Sequence, residues 1–112
     1  MSDCLFCKIA AGEIPSGKVY EDELCYAFFD IAPQAPTHFL VVPKQHIGSV
    51  SEVDASNSAV VARIFEVIAK LAKERGLDSY RVVSNIGEQA GQSVFHLHFH
   101  VLSGRDMTWP PG

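Results

Sequence analysis

Apolar and polar positions change their period along this chain, and each change marks an element. Residues 4–11 read as a short helix or turn, broken by Gly12, Pro15 and Gly17. Residues 19–21 and 25–29 then read as a β-hairpin around the polar turn Glu21-Asp22-Glu23. Pro33 and Pro36 impose an irregular loop after Asp30-Ile31. Phe39-Leu40-Val41-Val42 is apolar without interruption, which predicts a strand covered on both faces and ended by Pro43. Over residues 55–75, Val61, Ile64, Phe65, Ile68, Leu71 and Ala72 recur at spacings of three and four, the mark of an amphipathic helix covering one sheet face. Asp54 or Ser56 can supply its N-cap, Lys70, Lys73 and Arg75 suit its negative end, and Gly76 suits its stop. Residues 80–84 read as a fourth strand, and a glycine-containing loop over 85–93 leads into a last one over 95–102. The order predicts an α+β domain with a mostly antiparallel sheet of about five strands and one long helix.

The last strand carries the chemistry. It reads Phe95-His96-Leu97-His98-Phe99-His100-Val101-Leu102. Strand side chains point to opposite faces in turn, so the three imidazoles share one face. Phe95, Leu97, Phe99 and Val101 fall on the other, which reads as core. Three adjacent imidazoles resist being protonated together, so at least one should be neutral near pH 7. A neutral imidazole is a metal ligand, a base or a nucleophile, and a phosphorus centre is a suitable electrophile for it. The preceding loop adds Gly87 and Gly91, whose backbone can approach an anion closely, with Ser93 and Asn85 as side-chain donors.

Composition narrows the classes. A chain of 112 residues has room for one domain, residues 1–112, and its size makes a dimer plausible. A net charge of -4 argues against nucleic acid as the partner, though not against a nucleotide. No apolar run reaches the length of a membrane span. Met1-Ser2-Asp3-Cys4 has no basic region followed by an apolar one, so no export signal is expected. The three cysteines, Cys4, Cys7 and Cys25, then fit a reducing cytoplasm better than a disulfide framework. Cys25 reads as a buried small hydrophobe. Cys4-Leu5-Phe6-Cys7 is a C-x-x-C, which alone is ambiguous between zinc and redox chemistry.

Three segments together are more specific. Residues 91–101, with His-x-His-x-His between apolar residues, resemble the signature of the histidine triad (HIT) family. Residues 30–43 resemble the middle of its Hint branch, and so does the tail from Gly104-Arg105 to Trp109-Pro110-Pro111-Gly112. The resemblance spans nearly the whole chain. It implies a HIT-like fold whose sheet extends across a homodimer, and hydrolysis of purine nucleotides, above all conjugates of AMP with an amine. By the same resemblance His98 would be the nucleophile on phosphorus, forming an adenylyl-imidazole intermediate. His96 and His100 would orient it and the phosphate oxygens, and His100 and Ser93 would help protonate the leaving amine. Asp30, beside Ile31, would accept from the ribose hydroxyls. Asn85, Gly91, Gln92 and Ser93 would hold the phosphate side with His98 and His100, and Phe6, Ile14 and Phe28 would line the base pocket. Those three apolar residues read equally as ordinary core.

The resemblance implies chemistry that needs no cofactor. The C-x-x-C departs from the animal Hint proteins and matches many bacterial members. In zinc-bearing relatives its cysteines, Cys4 and Cys7, would be joined by His46 and His96 around a structural Zn2+. Rival readings are a dinucleoside polyphosphate hydrolase or nucleotidylyltransferase of the same family, a nucleotide- or partner-binding module with incidental hydrolysis, and a redox or zinc-only protein.

Overall fold

The computed structural model describes residues 4–112. Residues 1–3, on which the expectation of no export signal largely rests, lie outside the described residues. Helix α1 (Leu5–Ala10) precedes the hairpin of β1 (Lys18–Glu21) and β2 (Cys25–Phe29). Strand β3 (Thr37–Pro43), helix α2 (Ser58–Glu74), β4 (Tyr80–Val83) and β5 (Phe99–Ser103) follow. The five strands form one antiparallel sheet in the order β1-β2-β3-β5-β4. This is the expected α+β arrangement. Asp22 closes the hairpin turn, its Oδ1 accepting the N–H groups of Leu24 and Cys25, both at 2.8 Å.

The central strand β3 separates two cores. Phe39 and Val41 pack on Ile64, Val67, Ile68 and Leu71 of α2, with Phe99 and Val101 of β5. Leu40 and Val42 face the other way, toward Phe6 and Ile9 of α1 and Tyr26 and Phe28 of β2. The unbroken apolar run over 39–42 is thus explained, since each of its two faces has its own cover. Cys25 is fully buried in the first core, as expected.

Four expectations need correction. The histidine strand begins at Phe99, not Phe95. In the antiparallel register Val41 faces Phe99, so continuing the ladder would pair Val42 with His98 and then Pro43 with Leu97. Pro43 has no N–H to give, and its carbonyl accepts from His96 Nε2 at 2.8 Å instead. Leu97 N–H turns to Ile47 O at 2.6 Å, and the Ser84 hydroxyl takes His98 O at 2.8 Å. The ladder therefore stops, while the inward placement of His98 and Leu97 survives. Phe95, read as core, is 51% exposed because it precedes the ladder.

The long helix starts at Ser58 rather than 55. Asp54 and Ser56 do not cap it. Asp54 Oδ1 accepts the N–H and hydroxyl of Ser56, and Asp54 N–H donates to Asn57 Oδ1 at 2.8 Å. These side chains build the turn before the helix. Its end is as expected, with Gly76 at φ +69° just past it.

Candidate active site

The site forms where β5, the loop over 84–93 and α1 converge on the face opposite α2. His100 sits in β5, opposite Leu40 of β3 and Val83 of β4. Its alternation with Phe99 and Val101 sends those two into the α2 core and leaves His100 on the α1 side. The loop reaches His98 and His100 through Gly87 and Gly91, whose φ values of +90° and +100° exclude other residues without strain. Gln92 locks this loop from within. Its amide donates to Gly48 O at 2.8 Å and Val94 O at 3.1 Å, and its Oε1 accepts Gly87 N–H at 2.9 Å.

Carbonyl oxygens can only accept, and this sets the tautomers. His98 Nδ1 lies 2.7 Å from His96 O, so Nδ1 carries the proton and Nε2 keeps its lone pair. A second chain orders His100. Gln34 N–H donates to His38 Nδ1 at 3.0 Å, so His38 carries its proton on Nε2. That Nε2–H donates to His100 Nδ1 at 2.9 Å, which leaves the His100 proton on its own Nε2. Asp30 Oδ2 lies 3.4 Å from His38 Nε2 and 3.9 Å from His100 Nδ1. Asp30 Oδ1 is occupied by Ala32 N–H at 2.8 Å.

Burial holds these rings neutral. It pushes His98 and His96 below the ordinary imidazole range. His100 falls to about 4, through burial and then the neighbouring rings of His98 and His38. His38 is lowered by burial, against the pull of Asp30. At neutral pH the site presents an unprotonated His98 Nε2 beside a His100 ring whose N–H can only donate.

A cleft of about 370 Å³ opens in front of these rings. Of the residues singled out for nucleotide contact, Phe6, Phe28, Asp30, Ile31, Asn85, Gly91, Ser93, His98 and His100 line it together. Phe6 stands edge-on to both His98 and Phe28, at ring distances of 5.0 and 5.4 Å. Ile31 lies fully exposed at the mouth. Gln92 and Ile14 are not among the lining residues. The first is the loop brace described above, and the second packs against the α1 core. His38, given no role from sequence, is the functional residue that reasoning missed. Its signal was its place in β3, two residues before Leu40, on the face that β5 presents to the cleft.

His96 belongs to a different group. It is fully buried, with its Nε2–H on Pro43 O and its Nδ1 lone pair 3.3 Å from Cys4 Sγ and 3.4 Å from Cys7 Sγ. His46 Nδ1 is 3.3 Å from Cys7 Sγ, and the four ligand atoms lie within 4.8 Å of one another. A tetrahedral ion with bonds of about 2.0–2.3 Å needs donors roughly 3.3–3.8 Å apart, so this set fits a closed Cys2His2 site. The bond from His96 Nε2–H to Pro43 O holds the other ring nitrogen toward the sulfurs. Burial and the adjacent Cys4 raise the Cys7 thiol to about 11, a cost that a bound cation would reverse. Asp30, His38 and His100 also converge, but the 2.9 Å ring-to-ring hydrogen bond accounts for them without an ion.

Known proteins share this fold. A family model described as the HIT domain matches residues 11–107. An uncharacterized HIT-like protein of Synechococcus elongatus is 48% identical over 111 residues, covering 98% of this chain and 97% of that protein. The crystal structure of a HIT family hydrolase from Legionella pneumophila is 51% identical with a TM-score of 0.95, over 98% of this chain and 100% of that one. A histidine triad protein from Clostridium difficile is 49% identical with a TM-score of 0.93, over 96% of each chain. With matches along nearly all its length, this chain belongs to the histidine triad family.

Proposed function

We propose that this chain hydrolyses the P–N bond of purine nucleoside 5′-phosphoramidates, such as AMP joined to an amine. The observation that carries the reading is the bonded Nδ1 of His98, which leaves Nε2 as a free lone pair at the cleft. In the proposed reaction Nε2 attacks phosphorus and forms a P–N bond to imidazole. The bond to the amine breaks, its electron pair stays on the amine nitrogen, and that nitrogen takes a proton from His100 or Ser93. Water then attacks phosphorus, the bond to His98 breaks, and the proton lost by water restores the acid. An amine leaves poorly as an anion, so the donor on the cleft wall is essential to this reading. Asp30 at the cleft wall is the acceptor for ribose, and Phe6 and Phe28 are the surfaces for the base.

The test is turnover of an AMP–amine conjugate by wild type and His98→Ala. Hydrolysis should fall by about three orders of magnitude or more, with AMP affinity within a few-fold. A quenched wild-type reaction should carry one adenylyl group per chain. Equal rates in the two proteins would overturn the assignment.

The same reading gives Cys4, Cys7, His46 and His96 a structural zinc ion. Bound there, it would supply rigidity and stabilise the thiolates, with no open position for substrate. It also gives a homodimer joined through β4, a free sheet edge, and α2, where Phe65 is 48% exposed beside Phe99. Sedimentation at twice the chain mass would support that assembly. No helix among the described residues is long and apolar enough to cross a membrane. The three cysteines are free, which supports a reducing cytoplasm as the setting.

A further inference from the structure

The cleft follows one row of the sheet. His100 pairs with Leu40, Leu40 with Phe28, and Phe28 with Lys18. Adjacent strands lie about 4.8 Å apart, so the row runs roughly 14 Å from β5 to β1. His98, His100, Asn85 and Ser93 gather at one end. Ser16, two residues before Lys18, closes the other. Between them Phe6, Phe28 and Leu40 present an apolar surface, which holds a flat ring without reading its edge. Ser16 is the single polar side chain at that far end among the described residues.

Ser16 is not left loose. Its Oγ lies 2.9 Å from the Tyr26 hydroxyl, and Tyr26 is buried beside Phe28, with ring centroids 6.0 Å apart. Among the described residues neither hydroxyl has another side-chain partner. When the buried phenol donates to Ser16 Oγ, the serine keeps its own proton and a lone pair for a ligand.

We infer that Ser16, held in place by Tyr26, is a specificity-determining residue that hydrogen-bonds the outer polar edge of a purine. This deepens the nucleotide reading of the cleft and rests on it. With phosphorus at His98, the edge of the base furthest from the ribose lies toward β1. On a purine that edge carries a ring nitrogen and an amino or oxo group, one donor and one acceptor, which a hydroxyl can match. A base without those polar atoms fills the apolar surface but makes no hydrogen bond to the Ser16 hydroxyl.

The experiment compares two 5′-phosphoramidates with the same amine, one of adenosine and one of benzimidazole riboside. The second keeps the bicyclic shape and lacks the polar edge. Wild type should prefer adenosine. Ser16→Ala should lower kcat/KM for adenosine about 3- to 10-fold and leave the benzimidazole substrate unchanged. Ser16→Thr should keep the preference, and Tyr26→Phe should fall between. An equal loss on both substrates, or no loss on either, overturns the inference. If wild type hydrolyses neither compound, the phosphoramidase reading fails first. The same comparison is then read from the affinities of AMP and benzimidazole ribonucleotide by calorimetry. Ser16→Ala must weaken AMP alone, and absence of binding by either nucleotide overturns the inference along with the reading beneath it.

Discussion

His98 donates its Nδ1 proton to the carbonyl oxygen of His96, 2.7 Å away, while the His96 ring turns to Cys4 and Cys7. One residue thus meets two sites with two groups. Its imidazole belongs to the Cys2His2 cluster and its backbone sets the tautomer of the cleft histidine. Anything that moves His96 moves the lone pair of His98.

The cluster should therefore bind metal and steady the fold. Protein purified without chelator is expected to contain one zinc ion per chain by elemental analysis. Cys7→Ser should lose the ion and lower the Tm by several degrees, because binding energy is released only in the folded state. Metal-free protein with an unchanged Tm in the variant would refute a structural ion.

Removing His38 should disorder the proton on His100. His38 Nε2–H is the group that assigns His100 Nδ1 as acceptor. His38→Ala is expected to lower kcat by about 10- to 100-fold, the scale of losing an orienting partner. Nitrogen NMR on the His100 ring should change from one tautomer to a mixture. A variant that keeps both kcat and the single tautomer would disprove the chain from Gln34 to His100.

Stability should begin to fall with acid near the ordinary imidazole range, above that of most carboxylates. His100 sits at about 4 when folded and near 6.5 when unfolded, so between those values the unfolded chain binds more protons. Stability is then fully present above about 6.5 and is lost as pH falls through the window. His100 alone contributes on the order of 2 kcal/mol of that loss by pH 5, and His98 and His96 act in the same direction. Urea unfolding at pH 7 and pH 5 checks this. Equal stability at the two values would mean that these rings are not held neutral by the fold.

Gln92→Ala should loosen the loop without touching the cleft wall. It strands Gly87 N–H, Gly48 O and Val94 O. Loss of such buried bonds costs about 1–3 kcal/mol. Calorimetric unfolding should show that loss, and a raised KM should accompany it because Gly91 and Ser93 ride on the same loop. Gln92 acting by direct ligand contact would instead leave stability unchanged.

Local period and punctuation were enough for the hairpin, the two-sided strand β3, the long helix and its stop at Gly76. Each of these depends on neighbours a few residues away, so the chain carries its own instructions for them. The histidine alternation likewise placed His98 and His100 on one face without any tertiary contact. Three other features needed the fold. The ladder ends at Phe99, where Pro43 O takes the His96 ring and Leu97 N–H turns to Ile47 O, both partners distant in sequence. His38 joins His100 across 62 positions, and Gln92 turns inward to Gly48 across 44. The three imidazoles look equivalent in sequence because their spacing is equal. They differ in the structure because each meets a different acceptor or donor: groups of β3 decide which nitrogen holds the proton on His96 and His100, and the backbone of His96 decides it for His98.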